Sequence, residues 1–265
     1  MAELTTRGDL DVLDLNELAP LGVDAFVTTS AGGVSSGPYA SLNLALHVGD
    51  VPNRVLANRT RLAAAARCAL DDLVFMDQVH GARVACVSDE DRGRGAYEAD
   101  HALSATDASV TTTRGLPLVV LVADCAPVVL VDHEHGVLGV AHAGWRGVAA
   151  DVLGATVRAM EALGATAGSV RCVIGPTISQ ARYEVGDEVA GAIEARVGEL
   201  GAALDRGAGR AHLDVAAAAR LGLCRAGIAD DAIVVTEERS DDGAFFSDRV
   251  ARPCGRFGLL AQLVS

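Results

Sequence analysis

Three short apolar runs between residues 116 and 143 constrain the fold more than any other feature of this sequence. The segment reads LPLVVLVADCAPVVLVDHEHGVLGVAHA, and each run is rich in Val and Leu and bounded by Asp, Pro or Gly. Runs of this length and composition are typical of strands buried on both faces of a sheet. We therefore expect three buried strands, then a turn through residues 144–147 into an apolar helix that ends near Leu163.

Two chemically reactive side chains stand at the ends of these runs. Cys125 lies in the break between the first two runs, beside Asp124, and His142 lies at the end of the third. Ligand sites of open α/β sheets form at strand ends of this kind. We therefore expect the functional site here.

The rest of the chain alternates predicted strands with predicted helices. Strands are expected at residues 24–30, on both sides of a turn within 73–87, at 169–176, at 232–238 and close to the last residue. Helices are expected from Pro52 to near Leu70, from Asp187 to Leu200 and after an N-cap residue, Asp214. This alternation predicts an α/β or α+β fold with a mixed sheet, and the length and the absence of a clear domain boundary are consistent with a single domain over residues 1–265.

Two polar features of the first 70 residues bear on the site. The loop at 31–44 is dense in Gly, Ser and Pro, which suits either a surface connection or the rim of a binding pocket. In the helix that follows, Asn58, Arg59 and Arg61 lie off the apolar stripe, so a solvated face is the expected place for them.

The charge composition excludes several classes of function. The formal net charge is −13 over 265 residues, and such a surface repels nucleic acids and acidic membranes. All 22 basic residues are Arg, which rules out a Walker A lysine, a Schiff-base lysine and a Ser–Lys nucleophile pair. We expect small-molecule partners, no nucleic acid or membrane partner, and a monomer or small homo-oligomer.

The N-terminal segment and the cysteines favour a cytoplasmic location. The segment MAELTTRGDL lacks the apolar core of a signal peptide, and the longest apolar run is interrupted by Asp124 and Pro127. The six cysteines form no C-x-x-C pair, which indicates free thiols in a reducing compartment. We expect a soluble cytoplasmic protein.

Three potential metal ligands lie at predicted turns or strand ends: His80, Cys125 and His142. If they converge, two imidazoles and a thiolate form a catalytic type of zinc site with an open fourth position, and their ligand atoms should lie within about 4 Å of one another. Such a zinc ion would polarise a substrate group and lower the pKa of a bound water. A type-1 copper with Met76 as axial ligand suits the same three residues. The other interpretation is a buried thiol and two unrelated histidines.

Two further motifs have competing interpretations. The turn AHAGWRG presents backbone N–H groups at a helix N-terminus beside Arg146, which suits phosphate and favours a functional site; the alternative is a tight strand-to-helix turn with Trp145 in the core. His133 and His135 are an alternative metal pair, but their place in a predicted hairpin turn favours a solvated loop.

Three sequence blocks together resemble the signature of a known family. DQVHG at 77–81, ADCAPVVL at 123–130 and AHAGWRG at 141–147 resemble blocks of the YfiH/YlmD family, also called laccase-domain or polyphenol oxidase proteins, which includes FAMIN-like purine enzymes. The resemblance extends through GGVSSGPYASLNL, HVGD, NRTRLA, IGPTIS, YEVG and FFSDR. It therefore covers nearly the whole chain.

The resemblance implies a fold, a metal site and an activity. The implied fold is a YfiH-like mixed sheet system, similar to the catalytic domain of cytotoxic necrotizing factor. The implied ligands of a zinc ion, or alternatively of a copper ion, are His80, Cys125 and His142. Family members are purine nucleoside phosphorylases for adenosine, inosine, guanosine and methylthioadenosine, with adenosine deaminase activity. This chain departs from the family pattern at Thr236, Glu237 and Asp248, which leaves its preferred nucleoside open.

These observations predict a zinc-dependent purine nucleoside enzyme. We expect phosphate to bind near Arg146 and attack C1′ of the ribose. Deamination at C6 of adenine would use either the metal-bound water or a proton passed by Asp124. The expected contacts to the nucleoside are Gly32, Gly33, Asn43 and Gln78.

Three other functions remain as alternatives. A copper-dependent polyphenol oxidase of the multicopper type needs about ten His ligands, and the chain has seven His. A metal-free hydrolase would use Cys125 as a nucleophile activated by His142, which suits the peptidoglycan-editing role attached to bacterial relatives. A non-enzymatic binding module is disfavoured by the reactive residues.

Overall fold

The computed structural model describes residues 2–207 and 209–264. The strands of the first half are β1 (Glu3–Arg7), β2 (Leu10–Asp14), β3 (Val23–Thr28), β4 (Val74–Phe75), β5 (Val84–Cys86), β6 (Ala108–Thr111), β7 (Leu118–Val122), β8 (Ala126–Asp132) and β9 (Val137–Ala143). Those of the second half are β10 (Arg171–Ile174), β11 (Glu184–Val185), β12 (Leu204–Asp205), β13 (Ala211–Leu213), β14 (Ile233–Val235) and β15 (Phe257–Leu263). The α-helices are α1 (Pro52–Ala65), α2 (Trp145–Ala149), α3 (Val152–Ala162), α4 (Asp187–Val197) and α5 (Val215–Arg225).

Most strands form two six-stranded mixed sheets. The first has the order β1-β2-β3-β15-β7-β4, antiparallel except for the parallel β4/β7 pair. The second has the order β14-β10-β8-β9-β6-β5, with parallel pairs at both edges. A small third sheet has the order β11-β13-β12. The expected mixed α/β fold is confirmed.

The two large sheets pack face to face in a four-layer arrangement. Side chains such as Val27 and Val120 from the first sheet meet Val129 and Val140 from the second in one apolar cluster. Helix α1 covers the outer face of the first sheet, and helices α2–α5 cover the outer face of the second. Because both faces of each large sheet are covered, the central strands contain long apolar runs.

The three apolar runs form β7, β8 and β9 as expected, and every residue in these strands is buried. They do not all lie in one sheet, however. Strand β7 belongs to the first sheet, whereas β8 and β9 belong to the second. Residues 123–125 therefore carry the chain from one sheet to the other, and the break around Cys125 is this crossing.

The expected strand–turn–strand unit at 73–87 is also a crossing between sheets. Strand β4 pairs in parallel with β7, and β5 pairs in parallel with β6. Gly81 thus lies in a connection between the two sheets rather than in a hairpin. Local patterning indicates a turn here but does not show that the flanking strands have different partners.

Three helix predictions need correction, including that of α4, which ends at Val197 rather than at Leu200. The helix expected from the 144–147 turn to Leu163 is divided into α2 and α3, because Asp151 has a left-handed backbone with φ of 72°. Helix α1 ends at Ala65 rather than near Leu70. The predicted N-cap at Asp214 is confirmed, since its side chain accepts a hydrogen bond from the backbone N–H of Ala217.

The solvated face expected on α1 is wrong for two of its three residues. Asn58 and Arg59 are buried, at 0% and 3% exposure. The Asn58 amide donates to the carbonyls of Ser41 and Asn43, while the Arg59 guanidinium donates to three carbonyls, including that of Leu44. Both side chains bind the 31–50 loop to the core, because buried backbone carbonyls need donors. Arg61 is partly exposed, as expected.

No helix within the described part of the chain is long and apolar enough to cross a membrane. All six cysteines lie in that part and are free thiols, as expected from their spacing.

Candidate metal centre

Three connections between buried elements meet at one edge of the sheet pair. The segment from β4 to β5 carries His80, the segment from β7 to β8 carries Cys125, and the end of β9 carries His142. The structure therefore brings the three predicted ligands together. No local sequence pattern specifies this convergence, since it depends on two separate crossings between the sheets.

The ligand atoms of these residues lie within 4.8 Å of one another. Cys125 Sγ is 3.9 Å from His80 Nε2, and the two imidazole rings pack edge to face with centroids 4.7 Å apart. The span is slightly wider than the expected 4 Å. A tetrahedral ion at about 2.0–2.3 Å from each ligand requires side-chain shifts of only a few tenths of an ångström to about 1 Å.

Gly144 allows this close approach. A Cβ atom on Gly144 would lie 2.7 Å from Cys125 Sγ and 3.1 Å from His80 Cδ2. Because the first contact is shorter than real Cβ contacts and the second is tight, any side chain at position 144 would displace Cys125 and His80 from their present arrangement. The sequence pattern indicates a turn here but not this contact.

Asp107 positions two of the three ligands, and sequence reasoning missed it. Its buried carboxylate accepts hydrogen bonds from three successive backbone N–H groups, those of Val79, His80 and Gly81, at 2.7–3.2 Å. It also accepts a bond of 2.9 Å from His142 Nδ1. Such a carboxylate–histidine pair orients the imidazole and leaves Nε2 for a metal. The sequence signal is an Asp directly before a short strand, ASVT, which does not distinguish Asp107 from the other acidic residues.

The electrostatics of the centre favour a thiolate. Burial alone would raise the pKa of the Cys125 thiol, but the His142 and His80 imidazoles outweigh it and lower that pKa to about 6. Burial alone would lower the pKa of His142, but the Cys125 thiolate and the Asp107 carboxylate outweigh it and raise that pKa to about 9. A thiolate is the form of cysteine that binds metals and attacks electrophiles.

The donor set fits a single ion with an open coordination position. Two imidazoles and one thiolate match three-ligand catalytic zinc sites, and they also match the equatorial ligands of type-1 copper. Across residues 2–207 and 209–264, no other group of three His, Cys, Asp or Glu side chains brings its ligand atoms this close. The competing pair does not assemble a site, since His135 Nδ1 bonds to Asp132 in the exposed β8–β9 turn.

The centre opens into a cavity of about 410 Å³. His80, Cys125 and His142 line one part of it, with Met76 and Tyr183 nearby. Four guanidinium side chains line the cavity as well: Arg146, Arg249, Arg252 and Arg256. In a chain with a net charge of −13, this concentration of positive charge indicates an anionic ligand.

Arg146 reaches the cavity differently from expectation. Helix α2 has only five residues, so its macrodipole contributes little, and the guanidinium lies 4.4 Å above the Trp145 ring. The remaining arginines come from the irregular segment before β15, which sequence reasoning left unassigned. The available signal was the presence of three Arg residues within the eight positions from 249 to 256.

Asp124 lines the cavity, and both oxygens of its carboxylate already accept hydrogen bonds from the protein. Oδ1 accepts bonds from the hydroxyls of Ser240 and Ser247 at 2.7 and 2.6 Å, and Oδ2 accepts a 2.7 Å bond from the Arg249 backbone N–H. These bonds tie the segment that carries the arginines to the Cys125 crossing. The geometry thus favours a positioning role over the expected proton transfer.

Of the four predicted nucleoside contacts, the cavity is lined by Gln78 alone. The Gln78 amide pairs with both backbone groups of Leu121, so it extends the β4–β7 pairing. Asn43 is completely buried, and its carboxamide bonds to Ala45, Asp50 and the backbone N–H of Arg256. Asn43 therefore links its own loop to the segment that carries the arginines.

Gly32 and Gly33 also lie away from the cavity lining. A Cβ on Gly33 would meet the Ser41 carbonyl at 2.1 Å, and one on Gly32 would meet the Leu10 side chain at 2.9 Å. The groups that approach these two glycines closely therefore belong to the protein itself and not to a ligand. This outcome favours the structural interpretation of the 31–44 loop.

Comparisons with known proteins agree with the residue blocks. A family model described as "Multi-copper polyphenol oxidoreductase laccase" matches residues 24–264. A protein of Deinococcus radiodurans named "Purine nucleoside phosphorylase" is 41% identical over 244 residues, which cover 92% of this chain and 89% of that protein. "Adenosine deaminase RL5", from an unknown prokaryotic organism, is 39% identical over 232 residues, or 86% of this chain and 88% of that protein.

A solved structure extends the similarity to the whole fold. The crystal structure of YlmD from Geobacillus stearothermophilus matches with a TM-score of 0.93 and 33% identity, and it covers 100% of both chains. Fold, sequence blocks and family model agree. This chain therefore belongs to the YfiH/YlmD family of laccase-domain proteins.

Proposed function

We propose that this chain is a zinc-dependent purine nucleoside phosphorylase, acting on adenosine, inosine, guanosine and methylthioadenosine, that also deaminates adenosine. The observation that carries the proposal is one three-ligand centre that opens directly into an arginine-lined cavity. Relatives named purine nucleoside phosphorylase and adenosine deaminase support the substrate class. The six free thiols favour a cytoplasmic location.

The arginines would bind phosphate, the second substrate of phosphorolysis. Guanidinium groups match phosphate oxygens geometrically and remain charged at any physiological pH. Arg146 and Arg249 lie over the rings of Trp145 and Tyr183, at 4.4 and 4.8 Å, so both side chains are oriented before a ligand arrives. Phosphate held there would attack C1′ of the ribose and release the base.

The three ligands would hold a metal that acts on the purine base, which takes the electron pair of the glycosidic bond when that bond breaks. Bound zinc supplies Lewis-acid polarisation of a substrate atom and acidifies water, which suits both base departure and deamination. Asp107 would hold His142 with Nε2 directed to the centre, and Cys125 would supply the only negative charge among the ligands. Asp124 would hold the arginine segment rather than move a proton.

Copper is the alternative ion at this centre. Met76 lines the same cavity, as an axial ligand of type-1 copper would. The family description names a multicopper oxidase, but the described residues form one ligand group rather than the additional copper cluster such enzymes need. We therefore propose zinc and nucleoside chemistry over phenol oxidation.

A metal-free hydrolase is the second candidate. Its support is the Cys125 thiolate beside the protonated imidazole of His142, the arrangement of a cysteine nucleophile and its base. Chelation separates the candidates, because removal of the ion abolishes the proposed phosphorylase activity and leaves a cysteine nucleophile free to act.

The direct test is incubation of inosine with and without phosphate, with the products separated by chromatography. We expect hypoxanthine and ribose 1-phosphate, and no base release without phosphate. Base release at an equal rate without phosphate would replace the phosphorylase assignment with a hydrolase.

Variants connect this activity to the site. Cys125→Ala should abolish turnover, whereas Cys86→Ala, which removes an exposed thiol outside the cavity, should not. Arg146→Ala should raise the KM for phosphate more than it changes kcat, if the side chain contributes uniform binding. Arg225→Ala removes an exposed arginine outside the cavity and provides the matched control.

A further inference from the structure

The four cavity arginines fall into two pairs. Arg252 and Arg256 both bind the Asp248 carboxylate: Arg252 contacts Oδ2, and Arg256 Nη2 lies 3.3 Å from Oδ1. Arg146 and Arg249 have no ion-pair partner among residues 2–207 and 209–264. One pair is thus already neutralised in part, and the other is available to a ligand.

The charge of the cavity wall corresponds to one phosphate group. Apart from the metal ligands, the lining contains four arginines and two carboxylates, Asp124 and Asp248. The arginines and carboxylates alone have an excess of two positive charges, and one phosphate group carries about 1.5–2 negative charges at pH 7. A zinc ion held by the Cys125 thiolate would add one further positive charge at the metal centre, separate from this count. Without the Asp248 charge, the excess on the arginines would rise to three, which suits a ligand with a second phosphoryl group.

Space for a second phosphoryl group exists beside Asp248. A neighbouring open recess is lined by Asp248, Arg249 and Arg252, which also line the main cavity. Asp248 and Arg252, which form an ion pair, and Arg249, which has no such partner among the described residues, therefore line both spaces. The Asp248 carboxylate occupies the guanidinium groups that a larger anion entering this recess would need.

We propose that Asp248 is a specificity determinant that restricts the cavity to a single phosphoryl group. It acts as an internal counter-anion for Arg252 and Arg256. The identity of the ligand rests on the proposed function: the cavity takes inorganic phosphate with a neutral nucleoside, and it discriminates against pyrophosphate and against phosphate together with a nucleoside 5′-phosphate.

The test is calorimetric titration of the metal-loaded full chain with inorganic phosphate and, separately, with pyrophosphate. Asp248→Asn should lower the Kd for pyrophosphate about fivefold, the effect of one unit charge over about 4 Å in a well-solvated site. The Kd for phosphate should fall by less, and the pyrophosphate gain should shrink at high salt.

Asp230→Asn is the matched control. It removes a carboxylate that bridges two guanidinium nitrogens of Arg220, outside the cavity lining. It changes the net charge equally, so it should alter both Kd values by less than about twofold, because exposed distant charges are screened.

A double variant tests whether the gain in pyrophosphate affinity depends on the Asp248–Arg252 pair. Arg252→Gln in the Asp248→Asn background should remove most of the gain in pyrophosphate affinity.

An unchanged or weaker pyrophosphate affinity in folded Asp248→Asn protein would overturn the proposal, since Asp248 would then position the arginines rather than oppose an anion. That outcome leaves phosphorolysis by the wild-type chain intact. Absence of phosphate binding to wild type and variant alike would overturn both proposals.

Discussion

Replacement of Asp107 by Asn should weaken metal binding and folding together. The carboxylate accepts four hydrogen bonds, two on each oxygen: His80 N–H and His142 Nδ1 on Oδ1, and the N–H groups of Val79 and Gly81 on Oδ2. Asparagine has one acceptor oxygen and one NH2 donor. Whichever way the amide lies, two N–H donors lose their acceptor and face another donor.

The size of both effects follows from this count. A buried donor left without a partner costs about 1–3 kcal/mol, and the three loop N–H groups are only part-buried, so the free energy of unfolding should fall by about 2–4 kcal/mol. Loss of a carboxylate that orients a ligand histidine lowers metal affinity by about 10- to 100-fold. Burial alone would raise the pKa of Asp107, but the hydrogen bonds from His142 and Gly81 outweigh burial, so the pKa is lowered. Asparagine therefore also removes a charge that is present at neutral pH.

Asp132→Asn provides a matched control for this experiment. Asp132 is also a buried carboxylate that accepts bonds from backbone N–H groups, those of Glu134, His135 and Thr166, and from a histidine, His135 Nδ1. It lies at the β8–β9 turn, away from the metal centre. Its replacement should destabilise folding by a similar amount and leave metal affinity unchanged.

The assays are urea unfolding and zinc titration against a competing chelator. Equal zinc affinity in wild-type and Asp107→Asn proteins would refute the positioning role of Asp107. Equal loss of affinity in Asp107→Asn and Asp132→Asn would refute it as well, because the effect would then be one of general stability.

Three further predictions concern stability and pH. Arg59→Ala should lower the free energy of unfolding by about 3 kcal/mol or more, because it leaves buried carbonyls without donors, whereas Arg61→Ala on the same helix should change it by less than about 0.5 kcal/mol; urea unfolding compares the two. Burial raises the pKa of Asp132, but its bonds, first that of the Thr166 N–H, lower it to about 2. Its stabilisation, about 2 kcal/mol, is therefore present above about pH 4 and lost as the pH falls towards 2, so Asp132→Asn should flatten that part of the stability–pH curve. Acidification should also release the metal, because protons compete for imidazole and thiolate, and a zinc-sensitive dye should detect the release before the chain unfolds.

The sequence predicts the central strands well because their composition reflects local burial. Strands β7, β8 and β9 are buried on both faces, and short runs rich in Val and Leu favour buried strands over other secondary structure. The same runs do not show that β7 joins one sheet while β8 and β9 join another. Sheet partners are chosen by long-range packing, which leaves no periodic signal in a five-residue strand.

The metal ligands could be predicted because few residue types bind metals, and the resemblance to a family singled out these three. Their supports could not. Asp107 is one acidic residue of 35, and its role depends on the backbone of a loop about 26 positions earlier. Asn43 and Asn58 were expected at a ligand or in solvent, yet both stabilise a buried loop. Buried polar side chains resemble exposed ones in sequence until their partners are known.

The most direct test of a single metal centre is metal analysis of the purified chain and its Cys125→Ala variant. Elemental mass spectrometry should find close to one zinc per wild-type chain and almost none in the variant, because the variant loses the only anionic ligand. Activity should follow the zinc content. Several coppers per chain, or full activity in a chain without metal, would contradict the single-zinc account.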